Sequence, residues 1–146
     1  MINTEKEYQR ALTTLDKGRK RLEDQKKALV AKGLTGEQVK RVIDPMRAFL
    51  QNIENDVKWY ERAKKGEIPL DESLETIGRT LVALRITKGM TQEELAHKLA
   101  ITQGQVSEDE EDEYHGISVE RARKILSVFG LEGRLRLTPS PQRKAA

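Results

Sequence analysis

The residues with chemistry to offer cluster in one stretch, GMTQEELAHKLAITQGQVS, from Gly89 to Ser107. Thr91 and Glu94 form a capping box that opens a short helix, with Leu95, Ala96 and Leu99 on its inner side. Ala96 is the small residue that two crossing helices need, and Leu95, Leu99, Ile101 and Val106 anchor the crossing. A second helix starting near Thr102 then projects Thr102, Gln103, Gly104, Gln105 and Ser107 outward. Glutamine amides suit bidentate pairing with adenine in a major groove, and small hydroxyls suit phosphates. The pattern points to recognition of double-stranded DNA rather than to bond-making chemistry.

Other chemistries find little support. His97 and His115 are eighteen residues apart with no cysteine and no HExxH spacing, so no metal site is expected. Tyr114 and His115 read as packing and turn residues. The run Glu108 Asp109 Glu110 Glu111 Asp112 Glu113 is dense in carboxylates but lacks the glycine and the alternation of a calcium loop. There is no glycine-rich phosphate loop, no GxSxG and no isolated carboxylate pair in an apolar setting. No catalytic residue, no cofactor and no enzymatic activity are expected.

Composition frames the class. The chain has 146 residues, 35% charged and 36% hydrophobic, with six aromatics and no cysteine. That balance argues against a β-sandwich and for helices with wet faces, and the absent thiols agree with a reducing compartment. No apolar run approaches the ~20 residues that span a bilayer, and MINTEKEYQR is too polar for a signal peptide, so a cytoplasmic protein without membrane partners is expected. The net charge is +3, unevenly spread: residues 1–70 hold 16 basic and 11 acidic side chains, while the rest is net −2 because of the acidic run.

The elements that must position the motif follow from periodicity. From Glu5 to Ala31 no proline intervenes, and Tyr8, Leu15, Leu22 and Leu29 recur every seven residues with Ala11, Leu12 and Val30 beside them. Gly33 stops that helix and Thr35 caps the next, whose Val39, Ile43, Met46, Leu50, Ile53, Val57 and Tyr60 alternate in steps of four and three, a coiled-coil seam. Pro45 falls inside it, where a bend rather than a break is expected because the seam stays in phase. The expected fold is all-α: an antiparallel helical hairpin over residues 1–65, a linker at 66–70, a helical unit over 71–138 and a disordered tail at 139–146. Trp59 and Tyr60 are expected to close the hairpin against the second unit. There, Asp71 or Ser73 caps a helix with Leu74, Ile77, Leu81 and Leu84 inward, and a last helix runs from Ser118 through Val119, Ala122, Ile125, Leu126 and Phe129 to Gly130. Arg134 to Leu137 alternates as a short strand that Pro139 closes.

Gly89 to Ser107 resembles the helix-turn-helix of the Xre/Cro-CI family of bacterial and phage regulators, a resemblance extending over Leu74 to Phe129. It implies a lambda-repressor-like domain bound to a DNA operator, commonly as a homodimer. Gln103 and Gln105 would read bases, Gln92, Thr102 and Ser107 would position the backbone, and Gly104 belongs to the same surface. The resemblance also implies an ion pair between Arg85 and Glu94, and Glu110 matches a frequent family glutamate. Ala100 stands where the family's turn usually has glycine. At Glu108 and Glu111 the chain has acids where relatives commonly carry arginine or another neutral-to-basic residue, and each acid facing a phosphate replaces a counterion-releasing contact with repulsion. Lys17, Arg19, Lys20, Arg21, Lys26 and Lys27 are dense enough to flank a duplex, and a solvated coiled-coil face explains them equally well. The opening Ile2 Asn3 Thr4 Glu5 Lys6 Glu7 Tyr8 is similar to the INxExxY-like start of HigA-type antitoxins, which implies a toxin as an alternative partner for the hairpin.

Overall fold

The computed structural model describes residues 1–68, 73–135 and 137. Six helices follow in order: α1 Glu5–Ala31, α2 Gly36–Lys64, α3 Ile77–Thr87, α4 Gln92–Leu99, α5 Gln103–Glu111 and α6 Val119–Val128. There is no strand among the described residues. Arg134 and Leu135 lie in irregular chain, whereas Arg136 and the expected tail from residue 139 fall outside the described residues.

Local chemistry sets the helix ends. Thr4, Thr35, Thr91 and Thr102 each close a capping box with the residue three positions on: Glu7, Gln38, Glu94 and Gln105. Each satisfies amides that the first turn leaves without intrahelical partners. Thr35 starts α2 as the spacing requires, and the helix runs unbroken through Pro45. α3 departs from expectation. Thr76 donates its amide and its hydroxyl to the Ser73 carbonyl, at 3.1 and 3.2 Å, in a turn that competes with helix. The helix therefore begins only at Ile77, leaving Leu74 in the turn and 70% exposed rather than inward. Asp71, the other cap candidate, is outside the described residues. Val119, at the first turn of α6, is likewise 79% exposed, whereas Ile125 and Phe129 are buried.

α1 and α2 pack as the antiparallel hairpin. Val39, Ile43, Leu50, Val57 and Tyr60 are buried along α2, Leu15 joins the last three in one cluster, and Gly18 lets the helices close so tightly that an added Cβ would lie 2.4 Å from Leu50 Cδ2. Tyr8 stacks on Tyr60 with centroids 5.0 Å apart. The buried cluster then continues without interruption through Tyr60 and Ala63 into Leu81, Val82, Leu95, Ala96, Val106, Tyr114, Ile125 and Phe129. Across that junction Arg79 lies over the Trp59 ring, 5.5 Å from its centroid, and Thr87 Oγ1 donates to the Ala63 carbonyl at 2.7 Å. The N-terminal segment joins in. Ile2 is buried in the same cluster, and the Asn3 carbonyl accepts from Arg85 Nη2 at 2.8 Å.

Candidate nucleic-acid interface

α4 and α5 are joined by Ala100 and Ile101, with Ala100 in the left-handed region at φ 55°. A residue with a Cβ pays a steric penalty there that glycine avoids. Ala96 is 3% exposed at the crossing, and Leu95 and Val106 are fully buried beside it, so the anchors read from the sequence do meet. α5 thus stands with its first turn in solvent.

Helical spacing sorts the acidic run. Glu110, four residues after Val106, turns inward and is 0% exposed. Its carboxylate accepts from Arg85 Nε and Nη2, both at 2.5 Å, and from Gln92 Nε2 at 2.9 Å. Arg85 spends its remaining donors on the carbonyls of Met90 and Asn3. This corrects the pairing expected for Arg85: Glu94 is exposed and occupied at its own helix cap, where it accepts the Thr91 amide at 2.7 Å, a bond that lowers its carboxyl pKa. A carboxylate committed to an N-cap cannot also reach inward. Asp109, half-buried on α5, pairs with Arg121, and Glu113, in the turn beyond the helix, pairs with Arg79. Glu108, Glu111 and Asp112 are exposed, and among the described residues none of them has an ion pair.

The residues read as a binding surface are placed as follows. Thr102, Gln103, Gly104 and Gln105 are exposed, and Ser107 is half-buried. Thr102 and Gln105 share a capping box in which Gln105 Oε1 accepts the Thr102 amide at 3.1 Å, so that oxygen is occupied. Gly104 leaves its side open, the nearest atom to an added Cβ being Thr102 Oγ1 at 3.9 Å. Gln92 is buried at 7%, with its amide nitrogen on Glu110 and its oxygen accepting from Gln103 Nε2 at 3.4 Å. A polar chain therefore runs from Arg85 through Glu110 and Gln92 to the exposed Gln103. In the sequence Glu110 stands out only as a match to a frequent family glutamate; its spacing of four from Val106 is the signal that could have placed it inward, and nothing local marked Arg85 as its partner 25 positions away.

Residues 81–134 match the family model described as helix-turn-helix. This part of the chain is a helix-turn-helix domain. No curated protein and no solved structure matches the chain. The matched segment takes in the whole of α4, α5 and α6, together with Leu81 to Thr87 of α3.

The helix-turn-helix meets the hairpin at the N-terminal end of α1. Gln103, Gln92 and Arg85 line a cleft of about 490 Å³ together with Asn3, Glu5, Tyr60 and Lys64. Lys64, the hairpin cation in this cleft, is bonded to Glu5 at 2.9 Å. The basic residues Lys17 to Lys27 lie further along α1, roughly 20–35 Å from Thr4 at the rise of an α-helix. Arg19 among them pairs with Glu54. No described helix is long and apolar enough to cross a membrane.

Proposed function

We propose that this protein is a sequence-specific DNA-binding transcriptional regulator, acting in the cytoplasm as a dimeric repressor. In this reading the hairpin, residues 1–65, serves dimerisation or partner capture, and residues 71–138 bind the operator. Gln103 and Gln105 read base edges, with Gln105 using its free amide nitrogen. Gln92, Thr102 and Ser107 position the DNA backbone, and Gly104 allows close approach. The observation that carries the reading is the exposed Gln103, held by Gln92 on the buried Arg85–Glu110 pair. A preorganised side chain loses less entropy on pairing with a base.

A second reading draws support from Glu108, Glu111 and Asp112, which face solvent beside Gly104 and Ser107. Carboxylates there oppose phosphate contact, the main source of sequence-independent affinity. In this reading the chain is an antitoxin or another protein-interaction module that captures its partner through the hairpin, and DNA binding is weak.

A titration separates the two, using labelled DNA from upstream of the protein's own coding region and random DNA at low and moderate salt. The regulator reading expects Gln103→Ala to lose ~1–3 kcal/mol on the specific site and almost nothing on random DNA. Glu108→Arg with Glu111→Arg should tighten both and steepen the salt dependence by about 1.8 log units per decade, two added phosphate contacts. If the wild type is silent at low salt while the double variant binds tightly, the repressor reading of this chain fails and the partner reading stands.

A further inference from the structure

We propose that two copies of this chain pair antiparallel through the outward side of α2, with Val42, Pro45 and Phe49 at the centre. The proposal rests on the dimer of the regulator reading and goes beyond it by naming the face and the register. α2 carries two rows of residues in alternating steps of four and three. One is the buried seam against α1. The other runs Gln38, Val42, Pro45, Phe49 and Asn52, and continues in phase as Asp56, Trp59 and Ala63. Beyond the half-exposed Asp56 the continuation is covered: Trp59 lies beneath Arg79, and Ala63 is 3% exposed against α3. The first five positions are not. Phe49 is 58% and Val42 45% exposed, and Gln38, Pro45 and Asn52 are exposed as well.

The row is thus one seam, half of it an interface within the chain and half open. The open half extends ~21 Å along the helix and contains no charge, in a sequence that is 35% charged. A solvated face in such a chain has no reason to exclude charge over four turns, whereas a helix pair needs that exclusion in its seam. The ends of the row decide the occupant. Arg41 flanks one end and Asp56 stands at the other. An antiparallel second copy places Phe49 of each chain on Pro45 of the other and brings Arg41 of each within reach of the other's Asp56. A parallel copy sets Arg41 against Arg41. Arg41 has no ion pair among the described residues, and Asp56 holds the Met1 ammonium through Oδ2 at 3.7 Å while its side chain stays 41% exposed, leaving Oδ1 for a second cation. The strip is therefore complementary to itself in charge, as a two-fold interface requires.

Sedimentation equilibrium of the full chain without DNA tests this, from about 1 to 100 µM, the range suited to a small helix-pair interface. The wild type is expected to approach twice the chain mass at the upper end. Phe49→Glu should raise the dissociation constant at least about thirtyfold, the loss of a central anchor, with an unchanged thermal melt at concentrations where the wild type is itself monomeric, because Phe49 is exposed in the single chain. Arg41→Asp and Asp56→Arg should each weaken the dimer, and the two together should restore it. A dimer indifferent to Phe49→Glu overturns the face while leaving a dimeric regulator intact. A wild type that stays monomeric throughout overturns both this face and the dimer. Failure of the double exchange to restore pairing overturns the antiparallel register. Operator binding is read separately, so loss of the interface and loss of DNA recognition are distinguishable.

Discussion

Glu110 and Glu111 are adjacent in sequence and opposite in fate. Glu110 is wholly buried, chelated by a guanidinium and an amide, and ties α3, α4 and α5 together. Glu111, like Glu108, points into solvent with no ion pair among the described residues. One part of the acidic run is architecture and another part is surface field. The sign of the charge is the same, so the difference lies in what each side chain meets. Net charge and charge density therefore say little about this segment until the helical phase is applied to it.

Removing the buried carboxylate is the most direct way to break this contrast. Glu110→Ala leaves Arg85 buried without its counter-charge and should cost about 3–5 kcal/mol, read as a lower urea midpoint with a cooperative transition. A loss below about 1 kcal/mol would mean that water reaches Arg85 and that the interior half of the contrast is wrong.

The next largest effect concerns the backbone that holds the run in place. Gly78, near the start of α3, lies so close to the end of the run that an added Cβ would sit 1.7 Å from the Glu113 carbonyl oxygen. Backbone cannot swing aside as a side chain can, and Glu113 and Tyr114 already occupy the left-handed region at φ 50° and 53°. Gly78→Ala should destabilise by about 2–3 kcal/mol in thermal denaturation, and the same change at Gly104, in open space, should leave the fold within about 0.5 kcal/mol.

A gain is expected at the turn before α5. Ala100→Gly relieves the left-handed strain and should add about 0.5–1 kcal/mol, seen as a rise in melting temperature. No rise would show that the turn tolerates Ala100 at no cost. The smallest effect belongs to the exposed carboxylates. Glu108→Ala with Glu111→Ala should change stability by no more than about 0.5 kcal/mol, while binding to random DNA strengthens at low salt. A large stability change in that variant would erase the distinction between the two halves of the run.

Much of this protein was legible in order and period. The heptad stripe marked α1, the four-three seam marked α2, and Thr35 and the Thr91–Glu94 capping box marked two helix starts, whereas the boxes at Thr4 and Thr102 emerged only in the structure. What misled was short-range reading of groups with several partners to choose from. Leu74 fitted an inward face on spacing, but the Ser73 and Thr76 turn delayed the helix by a few residues. The resemblance implied Glu94 as the partner of Arg85, but its carboxylate was already committed to the amide of Thr91.

The amino-acid sequence by itself determined the order of the helices, the caps at Thr35 and Thr91, the turn, and the presence of a helix-turn-helix surface bearing glutamines, because these depend on spacing within a few residues. Only the tertiary structure decided which acid Arg85 would neutralise and that Gln92 would bridge inward to hold Gln103. It also docked the Asn3 carbonyl on Arg85 and left half of the second α2 seam uncovered. Those outcomes depend on which groups are brought together from positions 11 to 82 residues apart. Burial then selects among them, since a charge withdrawn from water must find a partner that the local sequence cannot name.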